Sequence, residues 1–232
     1  MPARFAAAIL IALGFWSTVE VFARPLARLD TSAARLAQPV RTGMAMIANH
    51  GSKPLWVLQV TPVDATSWGG DRLGSGSLAP GARGLLRLGA TGQCRFDLRA
   101  TFANGREVTR FDLDLCQNPD IALSDSDTDT PLPEARAGVT LFRAVNRTGA
   151  PVVALHVSPA DGPEQGDVLG AWVMGEEMHY TGRAPSGPSC FFDLKSVFSV
   201  RGPEAATMSG QNLCETREIA LSRGDVMGGL RR

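Results

Sequence analysis

Histidine and tyrosine are scarce, three and one among 232 residues. Most of the side chains that move protons in catalysis are therefore missing, and only Asp and Glu remain in number. Charge of one sign is missing too. Lys and Arg total 23 against 23 for Asp and Glu, and no basic stripe supplies the counterion-release energy on which nucleic-acid binding runs. Nucleic acid is thereby excluded as a partner. No C-x-x-C pair occurs, which removes thioredoxin-type redox chemistry and the close ligand pairs of structural zinc. Serine-hydrolase and zincin templates also fail, because the chain has neither G-x-S-x-G nor H-E-x-x-H. Within 43–123 and 138–223 no stretch carries a convincing 3.6-residue apolar period of an amphipathic helix, although 24–42 could form a short one.

What is there begins with a leader. Arg4 precedes an apolar run from Phe5 to Val19, and Val21-Phe22-Ala23 follows Glu20. This is the layout of a secretory signal cut after Ala23. Retained, residues 5–22 would be an inner-membrane anchor, short against the roughly 20 apolar residues that a span needs. Either outcome exports the remainder to the periplasm or beyond, with membrane contact confined to that segment. Export places Cys94, Cys116, Cys190 and Cys214 in an oxidising space, where an even number reads as disulfides.

The strongest signal is an internal duplication. Asn49 to Pro54 and the strand-like Leu55–Pro62 match Asn146 to Pro151 and Val152–Pro159, at an offset of 97. Asp71-Arg-Leu73-Gly74 matches Asp167-Val-Leu169-Gly170, and Cys94-Arg-Phe-Asp97-Leu98 matches Cys190-Phe-Phe-Asp193-Leu194, both at 96. Cys116 with Ile121-Ala-Leu123 matches Cys214 with Ile219-Ala-Leu221 at 98. Each copy holds two cysteines, so Cys94–Cys116 and Cys190–Cys214 are the preferred pairs. Each closed loop is worth roughly 3 kcal/mol on the chain-entropy account.

Within each copy the period is that of strands. Phe96, Leu98, Ala100 and Phe102 alternate with polar residues, and Phe111, Leu113 and Leu115 do so on the return. Asn104-Gly105 between them is a two-residue hairpin turn, which sets Leu98 opposite Phe111, Phe96 opposite Leu113 and Cys94 opposite Leu115. Cys116 then falls one place out of register and needs a bulge or a strand end to reach Cys94. Met44–Asn49 and Leu55–Val60 read as a second hairpin, repeated as Val139–Asn146 and Val152–Val157. The expected fold is all-β: two tandem antiparallel sandwich- or barrel-like modules of six or seven strands, one disulfide each, after the signal segment. An immunoglobulin assignment fails on its short Cys–Cys spacing, with no Trp between paired cysteines. The domains are a signal peptide or anchor at 1–23, a lead-in at 24–42, a module at 43–123, an acidic Pro-capped linker at 124–137, a second module at 138–223 and a tail at 224–232.

Candidate chemistry is thin. Asp125, Asp127 and Asp129 have the 1-3-5 spacing of a calcium loop, but Thr130 and Arg136 stand where Gly and a bidentate Glu are needed. Gly74-Ser-Gly76 opens like a dinucleotide loop and has no helix behind it. No metal and no cofactor is expected. His50 reads as a turn residue, His156 as a polar strand position, and His179, three after Glu176, as a solvated strand face. The repeated acids Asp71/Asp167 and Asp97/Asp193 read as carboxylates that accept backbone N–H bonds and pin loops. Copy one alone has Trp68-Gly69-Gly70-Asp71-Arg72. That Trp–Arg mix is enriched at binding hot spots, making Trp68, Asp71 and Arg72 the candidate binding residues, unless Trp68 folds back over its own module. Trp56 reads as core and Trp172 as added apolar surface.

The pattern N-x-[ST]-G, a strand ending Ser/Thr-Pro, W-G-x-D-x-L-G and C-x-x-D-L-R resembles a group of small exported bacterial proteins without an assigned activity. Copy one departs from it at His50-Gly51, and copy two lacks the Trp-Gly. The resemblance implies no reaction. The expectation is an exported, non-catalytic binding, accessory or structural protein of the bacterial cell envelope, its partner an envelope protein or a glycan. The alternative is a small periplasmic hydrolase or carbohydrate-active enzyme that uses Asp71 with Asp64, or Asp97.

Overall fold

In the computed structural model the described residues are 43–89, 92–186, 190–198 and 204–223. The leader, the lead-in and the tail lie outside them. Twelve strands in four three-stranded sheets account for the regular structure of these residues, with no helix among them. The first module has β1 (Met44–Asn49), β2 (Leu55–Pro62), β3 (Arg83–Arg87), β4 (Arg95–Phe102), β5 (Glu107–Asp114) and β6 (Asp120–Leu123). The second repeats the order as β7 (Val139–Asn146), β8 (Ala154–Pro159), β9 (His179–Pro185), β10 (Phe191–Val197), β11 (Ala205–Asn212) and β12 (Glu218–Leu221). Sheet orders are β3-β1-β6 and β2-β4-β5, then β9-β7-β12 and β8-β10-β11.

Alternation builds one core per module. Ala45 and Ile47 from β1 meet Leu58 and Val60 from β2 and Leu98, Ala100 and Phe102 from β4. Phe142, Ala144, Leu155, Phe192 and Leu194 do the same in the second module. The bridges are Cys94–Cys116 and Cys190–Cys214, one inside each module.

Several details differ from the sequence expectation. The segments before and after Gly51-Ser52 are not a hairpin. β1 pairs with β3 and β6, whereas β2 pairs with β4, so the chain turns a corner from one sheet to the other. Asn49 and its copy Asn146 hold that corner, both fully buried. Asn49 Nδ2 donates to the carbonyls of Lys53 and Leu78, and Asn146 Nδ2 to those of Ala150 and Met174. The last strand of each module runs parallel to the first, β6 on β1 and β12 on β7. The β4–β5 turn has three residues, since Phe102 N–H donates to Arg106 O. Leu98 therefore faces Arg110, and a bulge at Phe111-Asp112 of β5, opposite Asp97, restores Phe96 to Leu113. Cys116 reaches Cys94 because the strand ends: Asp114 Oδ1 accepts the N–H groups of Cys116 and Gln117 in a turn. Trp56 is not core. It is the extra residue of a bulge in β2, which turns its indole outward to 50% exposure.

Candidate functional site

The repeated acids are staples. Asp71 Oδ1 accepts the N–H groups of Leu58 and Leu73, each near 3 Å, and Asp167 Oδ1 accepts those of Leu155 and Leu169. A loop rich in Gly and Ser is thereby fastened to a strand in each copy. Asp97 and Asp193 hold the two bulges, accepting from Asp112 N–H and Gly210 N–H. Those two donor residues, Asp112 and Gly210, have φ of 60° and 64°, the left-handed conformation found in one class of bulge.

Both modules belong to one compact unit, and β9 is the element that joins them. As the edge of its sheet it has an unpaired side, and side chains of the first module cover it. Thr181 N–H donates to Glu107 Oε1 at 2.8 Å, and Trp68 Nε1 donates to Thr181 O at 2.7 Å. Arg183 Nη1 meets Asp97 Oδ2 at 2.5 Å, its Nη2 reaches the carbonyls of Val63 and Ala65, and its guanidinium lies 5.0 Å from the Trp68 ring centre. Burial pulls the Arg183 pKa below its ordinary value and Asp97 opposes this. The group remains a cation at any physiological pH. Arg136 makes a second contact to Asp97, also 2.5 Å. Arg99 lies between Glu107 (2.5 Å) and Gln59 (2.6 Å) and stacks 4.4 Å over Tyr180.

Trp68 is thus neither offered to solvent nor folded over its own module; it is 4% exposed because the second module covers it. Arg72 donates to Val60 O. His179 is half-buried between Asp129 (3.5 Å) and Glu107 (3.6 Å), away from a solvated face. The acids of the interrupted calcium pattern diverge. Asp125 accepts from Ser52, whose N–H is the main cause of its lowered pKa, while Asp127 pairs with Arg110 at 2.9 Å.

Beside this joint lies a cleft of about 590 Å³. One wall is the first module's loop from Asp71 to Ser77 and the other is its copy from Asp167 to Trp172, over a floor of Trp56, Gln59, Arg99 and Thr101. Of the sequence candidates only Asp71 lines it. Its chemistry is that of a polar, aromatic trough: an exposed indole, two serine hydroxyls and two carboxylates. The lining cation, Arg99, is already matched by Glu107. Trp172 is 6% exposed, and its indole N–H and the Thr101 hydroxyl have no partner among the described residues. Asp97 is fully buried under two guanidiniums and lies away from the cleft.

No protein-family model matches this chain, and no curated protein does.

Sequence reasoning missed the cleft, although its signal was available. Trp56, Trp68 and Trp172 occupy positions where the other copy has Val153, Glu164 and Gly76. Aromatic residues present in one copy alone therefore point to the joint and the cleft, where they stand beside acids that both copies share.

Proposed function

We propose that the protein is an exported, non-catalytic binding component of the bacterial cell envelope, and that the trough between its modules takes an uncharged glycan. The observation that carries this reading is the half-exposed Trp56 at the floor of the cleft. A sugar ring stacks its apolar face on an indole, and hydroxyls such as those of Ser75 and Ser77 exchange hydrogen bonds with its rim. Anionic ligands are disfavoured by Asp71 and Asp167 with no unmatched lining cation. Export agrees with the two disulfides, which persist in oxidising compartments.

Hydrolysis fits less well. Asp71 already spends one oxygen on two backbone N–H groups, and Asp97 is covered. The test is a titration of the protein with a panel of neutral oligosaccharides, followed by Trp fluorescence and calorimetry. Saturable binding weakened at least ten-fold by Trp56→Ala is expected. Turnover of a chromogenic glycoside that Asp71→Asn abolishes, or a panel in which nothing binds, would reject the reading.

A further inference from the structure

The joint between the modules has an unused twin. In register with the β7–β9 ladder, Met44, Met46, Leu85 and Arg87 of the β1–β3 ladder are the copies of Leu141, Arg143, Thr181 and Arg183. In the second module this face is covered: Leu141 is 2% exposed, Thr181 0% and Arg183 8%. In the first it is open, with Met44 at 42% and Leu85 at 59%. The backbone repeats the comparison. Met46 donates its N–H to Pro119 O on the β6 side, so Leu85 opposite it turns its own N–H and C=O to the free edge of β3. Thr181 does the same in β9, where a carboxylate and an indole N–H satisfy it.

We propose that the β1–β3 face of the first module is a docking surface for another protein, one that offers an extended, carboxylate-bearing segment to the edge of β3. The intramolecular joint supplies the template: Arg183 takes Asp97, and the amide at Thr181 takes Glu107. Arg87 stands where Arg183 stands. It and Arg83 flank Leu85, and neither has an ion-pair partner among the described residues. Two positive side chains around an apolar one select a negatively charged strand with an apolar centre.

A second copy of this chain fits poorly on both available routes. Antiparallel pairing of two β3 edges about Leu85 sets Arg83 against Arg87 twice, and like charges directly opposite are destabilising. Head-to-tail stacking would bring β3 to the second module's outer sheet. There Glu164, Lys195 and Ala205 replace Trp68, Arg99 and Glu107, and only Asp193 survives. The face has no built-in occupant of that kind.

The experiment uses two fluorescent strand peptides, one alternating Asp with Val and one alternating Lys with Val, titrated into the full-length exported protein. The Asp peptide should bind saturably and the Lys peptide should not. Arg87→Glu and Leu85→Asp, both at exposed positions that the core does not use, should each weaken the Asp peptide at least ten-fold and leave the cleft titration unchanged. Equal response to both peptides, no response to either, or indifference to Arg87→Glu overturns the proposal. Binding to phosphatidylglycerol vesicles without peptide binding would assign the face to a membrane instead. A concentration-dependent dimer in the ultracentrifuge that Leu85→Asp dissolves would assign it to a second copy. Either result rejects the inference.

Discussion

The chain's only tyrosine reports on the joint. Tyr180 is pushed from the ordinary phenol value up to about 12, chiefly by burial; Glu107 and Asp167 add to the rise and Arg99 opposes it. Between pH 10 and 12 the unfolded chain has lost the phenolic proton and the folded chain keeps it. The unfolded state then binds fewer protons, so stability falls as pH rises through that window. Phenolate absorbance should stay absent to about pH 11 and then appear together with unfolding. An ordinary titration near 10 with the fold intact would show the ring to be solvated. At this scale the sequence was partly legible. Asp71 and Asp167 are the loop-pinning carboxylates that duplication suggested. Trp56, expected in the core, is exposed, and Trp68, whose exposure the sequence left open, is buried. A bulge turns one indole out and a neighbouring module buries the other, and neither event leaves a mark in local alternation.

Among elements, β9 shows how an edge strand is kept from open pairing. Instead of a strand, its free amide and carbonyl at Thr181 are met by side chains, which satisfies the backbone without extending the sheet. Trp68→Phe keeps an aromatic ring, smaller than the indole, and deletes the donor, leaving Thr181 O buried and unpaired. Unfolding in urea should show a loss of about 1–3 kcal/mol. A loss below a few tenths would mean that water replaces the indole. The strands themselves were readable because β4 and β10 alternate over seven or eight residues. Pairing direction was not. β6 and β12, four residues each, carry nothing that distinguishes parallel from antiparallel neighbours. The corner at Asn49 resembles a hairpin because Gly and Ser suit both. The Asn104-Gly105 turn has a second duty: a side chain at Gly105, with φ of 79°, would press on Met178 and the Trp172 indole of the other module, and no local rule records such a neighbour.

In the molecule as a whole the duplication has become asymmetric. Each copy kept its core, bridge, bulge and staples, and the joint combines the shared Asp97 and Arg183 with positions where the copies differ, such as Trp68, Glu107 and Thr181. Because the joint rests on buried charges held by both modules, the two should unfold together in one calorimetric transition. Arg183→Ala leaves part of the Asp97 charge uncompensated in a dry site, at a cost of about 3–5 kcal/mol. Two separate transitions, one per module, are then expected. A single transition shifted little from the parent would show that the ion pair is dispensable.

The placement of the indoles gives the molecule an optical signature of its own quaternary-like seam. In the Trp16→Phe variant, iodide should reach Trp56 and leave Trp68 and Trp172 dark to it. Parting of the modules would bare Trp68 while both sheet cores stay intact, so a rise in the quenchable fraction without loss of far-ultraviolet dichroism would mark an opened tandem, distinct from an unfolded one.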